Sequence, residues 1–467
     1  MANKRIYLCL AHMSEAGLEQ KYIKEAFDTN WVVPLGPNVN GFEKDLEDFV
    51  NEVHRSKFQV PSSKTLEPGT LNLEPGTLSK RVVALSSGTS AVHLALIACG
   101  VGPGDEVCVQ SFTFCASSHP ITYLGATPVF IDSEADTWNM DPALLEEAIK
   151  DRITKTGKKP KAIIPVALYG MPYDATRIME IANRYDIPVI EDAAEGFGSR
   201  FNGQVLGTFG KYGVLSFNGN KMITTSGGGA LITNNEDEWR EIMMYATQYR
   251  ESYPYYQHEK IGFNYRMSNI CAGIGRGQMT VAAEHIAHHK KVQALYEQLL
   301  ADVPGITVHS QPGTLNLEPG TYDSNYWLCT ITLDENLKIK GQESAYKTIV
   351  QGAVGGAAGV IHVADSATTD CQPNDNVEAL RVFMDAAGIE ARPVWKPMHK
   401  QPVYLRGKKE EVKGKKYSVV TSESSVAYVN GVSEAIFKVG MCLPAGPYVT
   451  DEDVKYIVDS IKAAIVG

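Results

Sequence analysis

The sequence predicts an α/β fold in which a largely parallel sheet is covered by helices on both faces. Between about residues 81 and 235, short runs rich in Val, Ile and Leu alternate with stretches of helical spacing. Such runs are typical of strands buried on both faces, and their alternation with helices is typical of parallel sheets. At 467 residues with 44% hydrophobic content, the chain is long enough for two domains with sizeable cores.

Individual elements can be placed from these patterns. The strand candidates are Val82–Leu85, Glu106–Gln110, Pro128–Asp132, Ala162–Val166, Val189–Asp192, Val214–Phe217 and Ala230–Thr233. Helical spacing covers Pro142–Lys150 and Ala175–Tyr185, and a longer helical pattern runs from about Ser268 to Leu300. We expect a large domain at residues 1–290 and a smaller C-terminal α+β domain at residues 291–467.

Four segments look like insertions into this plan. A seven-residue repeat with a Pro-Gly turn, Leu66–Leu78, lies in the first, about 60–80, and the same string returns in the second, about 312–322. Pro-Gly pairs break helices and make turns, so we interpret the repeats as surface loops without chemistry. The other two are a Gly/Ala-rich stretch at about 338–376 and a charge run at about 406–422, expected to be a solvated excursion.

Composition excludes several classes of function. The net charge of −10 argues against general nucleic-acid binding. Because no apolar run reaches the roughly 18 residues of a membrane span, we expect no membrane insertion and no signal peptide. The eight cysteines form no C-x-x-C pair, which suggests neither a metal site nor a disulfide framework. A reducing cytoplasm fits these features best.

The most informative residue is Lys221. It follows an apolar strand and precedes a Gly-rich turn, Gly227–Gly229. At such a position the amine is held partly out of water, which favours the neutral, nucleophilic form. It could therefore form a Schiff base with an aldehyde.

Two upstream motifs strengthen this interpretation. Asp192 ends an apolar strand, where a carboxylate points into the ligand crevice of an α/β sheet and can keep a pyridine nitrogen protonated. Ser86–Ser90, which contains Gly88 and Thr89, joins a strand to a helical pattern, and such a turn is suited to a phosphate. The order phosphate turn, acid, lysine indicates pyridoxal phosphate chemistry.

With these motifs the chain resembles the DegT/DnrJ/EryC1 family of pyridoxal-phosphate-dependent sugar aminotransferases. The matching blocks include Ser111–Phe114, Leu168–Gly170, Glu191–Ala194, Ser216–Lys221, Gly262–Asn269 and Arg392–His399. The resemblance implies a fold-type I architecture, like that of aspartate aminotransferase. It also implies a homodimer with shared active sites.

The family's roles can be transferred where the motifs match. The resemblance implies that Lys221 carries the cofactor and moves the proton, and that Asp192 pairs with the pyridine nitrogen. It implies that Phe114 stacks on the ring and that Glu195 lies near the ring hydroxyl. The cofactor phosphate would contact the residues of the Ser-Gly-Thr turn and the end of the lysine strand, namely Gly88, Thr89, Ser90 and Ser216. For Phe114 the alternative is a core aromatic.

Two residues are expected to act across the dimer. Asn264 and Arg266 would reach the cofactor phosphate and substrate of the neighbouring subunit. For Arg266 the alternative is a surface ion pair.

The substrate implied by the resemblance is a nucleotide-linked keto-sugar, with glutamate as amino donor and ping-pong kinetics. The Arg392–Pro402 string looks closest to the branch that aminates C4 of UDP-linked 4-keto-6-deoxy-N-acetylhexosamines, as in bacillosamine- and legionaminic-type pathways. Arg392, Lys396 and His399 are candidate substrate contacts; the alternative is a structural turn with a packed Trp. A GDP-linked (perosamine-type) or dTDP-linked keto-sugar stays open.

Two other classes are disfavoured by the residues present. A sugar dehydratase on the same fold would replace the lysine with histidine, whereas this chain has Lys221. A non-catalytic regulator on this scaffold would lose the lysine and the acid, and both are present.

Overall fold

The computed structural model describes residues 5–52, 80–312, 320–346, 371–404 and 407–466. Within them lie twelve α-helices: α1 Leu18–Asp28, α2 Pro37–Val50, α3 Gly88–Ala98, α4 His119–Tyr123, α5 Pro142–Thr156, α6 Ala175–Tyr185, α7 Glu236–Ala246, α8 Asn269–Met279, α9 Ala282–Leu300, α10 Asp375–Ala386, α11 Val432–Val439 and α12 Asp451–Ala464.

The same residues contain seventeen strands. They are β1 Arg81–Leu85, β2 Glu106–Gln110, β3 Thr127–Ile131, β4 Ala162–Ile164, β5 Ile190–Asp192, β6 Arg200–Phe201, β7 Gln204–Val205, β8 Tyr212–Ser216, β9 Gly229–Thr233, β10 Ile306–Val308, β11 Tyr322–Asp323, β12 Cys329–Leu333, β13 Arg392–Pro393, β14 Gly407–Glu411, β15 Ser418–Ser422, β16 Val426–Val429 and β17 Gly440–Leu443.

The central sheet consists of two ladders joined through β4 and β5. One ladder has the order β1-β9-β8-β5, and the other contains β3-β2-β4. Parallel bridges Ile163↔Val189 and Val166↔Asp192 connect them. All of these strands run parallel except β9, which is antiparallel to both β1 and β8. The carboxyl ends of β1, β2, β5 and β8 therefore meet at one edge.

The strand and helix predictions for this sheet are confirmed. Every predicted strand between residues 82 and 233 is present within two residues of its predicted start and end, and α6 has the predicted bounds. Helix α5 begins at Pro142 as predicted but extends to Thr156, beyond the predicted end at Lys150. The long helical pattern forms two helices, α8 and α9, separated by Thr280 and Val281. The buried strand residues divide between two apolar clusters, one on each face of the sheet.

In the charge run at 406–422, the described lysines and glutamates are exposed, as expected of a solvated segment, but the segment forms regular β structure that was not predicted. Residues 407–422 form the β14–β15 hairpin, which continues through β16 onto β3 in the order β14-β15-β16-β3-β2-β4. Val426, Ala427 and Tyr428 pair in parallel with Val129, Phe130 and Ile131. The hairpin escaped prediction because lysines and glutamates dominate its sequence, although the more apolar β15–β16 segment can pair with the edge of β3.

A second, antiparallel sheet of order β10-β12-β17-β13 lies in the C-terminal part. It packs against α9, α10 and α12 around its own apolar cluster, which includes Ile331, Leu380, Leu443 and Ile457. Ile6 also belongs to this cluster and bridges to Ile389. The predicted boundary at 290/291 falls inside α9 and stays a prediction.

The other predicted insertions lie largely outside the described residues. This holds for the first repeat, for residues 313–319 of the second, and for most of 338–376. In the described part of the chain, none of the helices combines the length and apolar character needed to cross a bilayer. Nor do the described residues contain a group of three or more His, Cys, Asp or Glu side chains arranged to bind a metal ion.

Close approach of α1 to α8 depends on a glycine. A Cβ built on Gly277 would lie 2.7 Å from the backbone nitrogen of Glu19, which cannot move aside as a flexible side chain can. The Glu19 carboxylate is buried between the helices and accepts hydrogen bonds from Ser14 and from Gln278 of α8.

We predict that Gly277→Ala lowers the free energy of unfolding by about 1–3 kcal/mol, because the overpacked contact separates α1 from α8. The better helix propensity of Ala recovers at most about 1 kcal/mol. The measurement is the denaturant midpoint of the cofactor-free protein. Gly102→Ala is the control, since a Cβ there meets no atom within 4 Å. Equal midpoints for both variants would contradict the prediction.

Candidate active site

The predicted catalytic residues converge at the carboxyl edge of the central sheet. Asp192 is the last residue of β5, Ser216 is the last residue of β8, and Lys221 follows it by five residues. The Ser86–Ser87 turn leaves β1 and opens α3, while Ser111–Phe114 leaves β2. The topology alone thus brings four separate segments together.

Lys221 lies between a carboxylate and an indole ring. Its Nζ is 3.3 Å from Glu195 Oε1 and 4.0 Å from the centre of the Trp327 ring. Trp327 is fixed in turn, because its Nε1 donates to the carbonyl oxygen of Asn220 at 2.6 Å. The lysine side chain is only 13% exposed, so the amine is held in place out of bulk water.

Asp192 is buried and held at both oxygens. Ser117 Oγ donates to Oδ2 at 2.6 Å, and the backbone N–H of Ala194 donates to Oδ1 at 3.2 Å. Burial raises the pKa of Asp192, while these two donors and the nearby Lys221 ammonium oppose that increase. The carboxylate is thus positioned as a fixed acceptor.

Glu195 is the second buried carboxylate of the site. Its Oε2 accepts the backbone N–H of Tyr169 at 2.7 Å. Burial raises the pKa of Glu195, and the charge of Lys221 and the Tyr169 N–H oppose that shift. The Tyr169 backbone has a φ of 54°, in the left-handed region, and in this conformation its N–H donates to the Glu195 carboxylate.

The Ser-Gly-Thr turn forms a cradle at the start of α3. Ser87 caps the helix by accepting the N–H of Ser90 at 3.0 Å, which leaves the N–H groups of Gly88 and Thr89 without intrahelical acceptors. A Cβ on Gly229 would lie 2.4 Å from the nitrogen of Gly88, and one on Gly88 would lie 3.1 Å from the Cβ of Ser216. Gly229 therefore leaves no room for a Cβ, and Gly88 leaves little. This close approach gathers hydroxyls and N–H groups at a helix N-terminus.

Aromatic rings line another part of the site. The Phe114 ring is 51% exposed, and its centre lies 5.5 Å from that of Trp395. Trp395 stacks on Tyr169 with a 5.9 Å separation, and its backbone N–H donates to the Tyr169 hydroxyl. Phe114 is therefore not a core aromatic, and its open surface leaves room for a planar ligand.

The two residues expected to act across a dimer have different surroundings. Asn264 is exposed, and its backbone bridges to Thr247. Arg266 is paired within its own chain, to the Glu43 carboxylate and to the carbonyl oxygen of Ala84, with 9% of its side chain exposed. Arg266 does form an ion pair, as in the alternative, but the pair is largely buried and not at the surface.

The Arg392–Pro402 block lies beside the site, and its three candidate substrate contacts differ in their partners within the protein. Arg392 forms a two-bond pair with Glu390. Lys396 is half-buried, and its ammonium has no ion-pair partner in the part of the chain that the structure describes. His399 is buried between Ser111 Oγ at 2.6 Å and Glu434 Oε1 at 3.1 Å, and this contact holds the pKa of Glu434 at about 2. Both His399 nitrogens are thus engaged inside the protein.

The residues present fit pyridoxal phosphate. The glycine-lined cradle with free N–H groups suits a phosphate, the enclosed primary amine suits an aldehyde, and the buried carboxylate suits a ring nitrogen. Phe114 offers a ring face between them.

Three residues of the site were missed from the sequence. Ser117 and Trp327 contact Asp192 and Lys221, and Tyr169 contacts Glu195 through its backbone. No spacing signal points to the first two, since they reach the site from a short 3-10 helix, Cys115–Ser117, and from a segment before β12. Tyr169 did carry a signal, because it lies in the Leu168–Gly170 block that matches the family. In the structure Gly170 has a φ of 91°, and a Cβ there would clash with Asn325.

Comparison with known proteins agrees with this geometry. The profile of the DegT/DnrJ/EryC1/StrS aminotransferase family matches residues 76–353. EpsN of Bacillus subtilis, assigned as a pyridoxal phosphate-dependent aminotransferase, is 37% identical over 98% of this chain and 95% of its own. The GDP-perosamine synthase of Caulobacter vibrioides is 32% identical over 96% of each chain.

Other matches extend over less of the chain or are more distant. A UDP-2-acetamido-2-deoxy-3-oxo-D-glucuronate aminotransferase of Pseudomonas aeruginosa is 34% identical over 58% of this chain and 65% of its own. The crystal structure of a DegT DnrJ EryC1 StrS aminotransferase from Brucella abortus superposes with a TM-score of 0.72 at 24% identity, covering 96% of this chain and 95% of that one. The fold is therefore fold-type I.

Site geometry, family profile and near full-length relatives agree. The chain belongs to the DegT/DnrJ/EryC1/StrS aminotransferase family and is a pyridoxal-phosphate-dependent nucleotide-sugar aminotransferase.

Proposed function

We propose that the enzyme aminates C4 of a UDP-linked 4-keto-6-deoxy-N-acetylhexosamine with glutamate as the amino donor. The keto group becomes a primary amine as glutamate becomes 2-oxoglutarate. Because both substrates use one site in turn, the kinetics are ping-pong.

The observation that carries this proposal is the contact between the Arg392–Pro402 block and the segment after β2. The N–H of Met398 donates to the carbonyl oxygen of Ser111 at 2.7 Å, and Trp395 lies beside Phe114. The string whose sequence resembles the N-acetylhexosamine branch therefore borders the surface that Lys221 and Asp192 define. A substrate at Lys221 would contact this block.

Bound pyridoxal phosphate supplies an aldehyde for attachment and a ring that withdraws electrons from the reacting carbon. Lys221 would hold the cofactor and then move a proton on and off the substrate carbon that bears nitrogen. Glu195 and Trp327 keep the Lys221 amine at the site whenever it is free. Asp192 would hold the proton on the ring nitrogen, and Gly88, Thr89, Ser90 and Ser216 would bind the phosphate.

A keto-sugar has no α-carboxylate, so its hydroxyls, acetamido group and diphosphate must provide the contacts. Lys396 is a cation without an ion-pair partner in the described chain, and it lies next to Trp395 in sequence. A charge-assisted contact from Lys396 to a diphosphate or to the glutamate carboxylate is worth about 1.5–3 kcal/mol. Arg392 could join it only by sharing or leaving Glu390.

A GDP-linked 4-keto sugar is the second candidate, of the type that a perosamine synthase uses. It is favoured by similarity to GDP-perosamine synthase over 96% of the chain, whereas the UDP-sugar relative covers 58%. A dTDP-linked keto-sugar follows as the third.

We predict that kcat/KM for the UDP-linked 4-keto sugar exceeds that for the GDP- and dTDP-linked ones by about tenfold or more, equivalent to about 1.4 kcal/mol. The three sugars are compared at equal concentration with glutamate, and conversion of C=O to C–NH₂ is read by mass. Lys221→Ala provides the background rate. A preference for the GDP sugar would reject the UDP proposal in favour of the second candidate.

We predict that borohydride reduction of the holoenzyme leaves a phosphopyridoxyl mark on Lys221 and that Lys221→Ala carries none. The enclosed amine beside Glu195 is the physical reason. Peptide mapping by mass spectrometry locates the mark. Lys211→Ala serves as the control with normal labelling, because Lys211 immediately precedes β8 and its ammonium lies near Glu238. A mark on another lysine would refute the assignment.

A homodimer that completes the site is also part of the proposal. Asn264 follows an exposed apolar and aromatic stretch that includes Tyr255, Tyr256 and Ile261, which are 61%, 75% and 87% exposed. A second copy of the chain would cover such a surface and receive Asn264 near its cofactor. Arg266 forms an ion pair with Glu43 of its own chain, so we expect it to act within that chain.

This arrangement predicts the result of mixing inactive variants. Heterodimers of Lys221→Ala with Asn264→Ala should recover up to about half of the normal activity per dimer, because one of two sites has both native residues. Heterodimers of Lys221→Ala with Arg266→Ala should recover none, since the defects fall in both sites. Both mixtures require inactive parents and demonstrated subunit exchange. Recovery with Arg266→Ala would place Arg266 across the interface.

A further inference from the structure

Two buried hydroxyl groups lie behind Asp192 in the loop after β2. Ser117 Oγ donates to Asp192 Oδ2 at 2.6 Å, and Thr113 Oγ1 is 2.8 Å from Ser117 Oγ. Thr113 and Ser117 are each 1% exposed, so water cannot replace either hydroxyl.

The direction of these hydrogen bonds follows from proton counting. A serine hydroxyl has one proton, and Ser117 gives that proton to the carboxylate. The bond between the two hydroxyls must then use the Thr113 proton, with Ser117 as acceptor. With Asp192 ionised, the chain of donation runs from Thr113 to Ser117 to Asp192. A proton on Oδ2 would have to donate back to Ser117 and reverse both bonds, so this direction belongs to the ionised carboxylate.

We propose that Thr113 and Ser117 are positioning residues that keep Asp192 ionised and aimed at the cofactor's ring nitrogen. The inference rests on the proposed role of Asp192 as partner of that nitrogen. A carboxylate that accepts Ser117 at one oxygen keeps its remaining acceptor capacity for the pyridinium proton. A neutral carboxyl could still accept a hydrogen bond through its carbonyl oxygen, but it would lack the negative charge that stabilises a protonated ring nitrogen.

The surroundings of Asp192 support this role. Burial raises its pKa, and Ser117 is the strongest of the groups that oppose the increase, ahead of the Ala194 N–H and Lys221. The titratable groups that face it are Lys221, from the loop after β8, and Glu195, whose own pKa the Asp192 charge raises. The adjacent Glu191 carboxylate is turned away, toward the N–H groups of Gly207, Phe209 and Gly210.

The same loop also supplies the ring-facing residue. The N–H of Ser117 donates to the carbonyl oxygen of Phe114 at 3.3 Å, in the short 3-10 helix that follows Phe114. One loop therefore sets both the residue expected over the ring face and the hydroxyl that fixes its nitrogen partner.

The test is cofactor retention by the holoenzyme after dialysis, followed by absorbance across a range of pH. With Ser117→Ala the pKa of Asp192 rises, so the carboxyl is neutral at higher pH. The acid limb of the retention profile should then move upward by about one pH unit, with about tenfold weaker retention in that range. Ser117→Thr, which keeps a hydroxyl, should restore the parent profile. Thr113→Val should shift it in the same direction by less.

Ser118→Ala is the matched control, because that buried hydroxyl donates to the Cys115 carbonyl and not to Asp192. Thermal midpoints of the cofactor-free proteins identify any loss of folding, and if Ser117→Ala is unfolded, Thr113→Val decides by the same profile. Suppose that Ser117→Ala and Thr113→Val give the same retention profile as Ser118→Ala, while Asp192→Asn loses retention. The positioning role of Thr113 and Ser117 would then be overturned, and the role of Asp192 would stand. Unchanged retention and turnover in Asp192→Asn would overturn the proposed function of Asp192 itself.

Discussion

The site depends on a single ammonium placed among two buried carboxylates. Asp192 and Glu195 are three residues apart and both almost fully removed from water. Taking a carboxylate out of water costs several kcal/mol, so two of them together are tolerated only with compensating charge and hydrogen-bond donors. Lys221 provides the charge for both. The donors come from segments distant in sequence, Ser117 and the backbone of Tyr169, and these segments must meet for the carboxylates to be stable.

Backbone geometry serves this electrostatic requirement. Tyr169 adopts a left-handed conformation, and Gly170 follows with a φ of 91°. The Asn325 side chain occupies the space that a Cβ on Gly170 would need, so glycine is required there on both counts. Asn325 in turn donates to the carbonyl oxygens of Glu195 and Phe197 at 2.9 Å and accepts the N–H of Trp327 at 2.8 Å. The segment leading into β12 thus connects the Glu195 turn to the indole under Lys221. Loss of Asn325 would disturb both sides of the lysine.

Much of the fold could be predicted from the sequence because its strands are apolar runs bounded by turn residues, as in β2, and its helices such as α6 repeat apolar residues at helical spacing. The catalytic lysine and aspartate were predictable for a related reason: each stands at the end of such a strand. Residues that reach the site through packing could not be predicted, because nothing in the sequence pattern distinguishes Ser117 and Trp327 from core residues. The hairpin at 407–422 was missed because charged residues on an edge strand conceal its pairing. Arg266 shows a further limit, since its partner Glu43 is 223 residues away.

The extension of the central sheet by β16 constrains how the chain can fold. Strand β3 ends at residue 131, while the strand beside it, β16, begins at residue 426. During synthesis the lysine edge can form early, yet one side of β3 stays unpaired until almost the whole polypeptide has left the ribosome. Contacts of such long sequence separation slow folding and leave a strand edge open to other chains. Strand β16 therefore covers the open side of β3 only late in synthesis, although the catalytic edge of the same sheet lies some two hundred residues earlier in the chain.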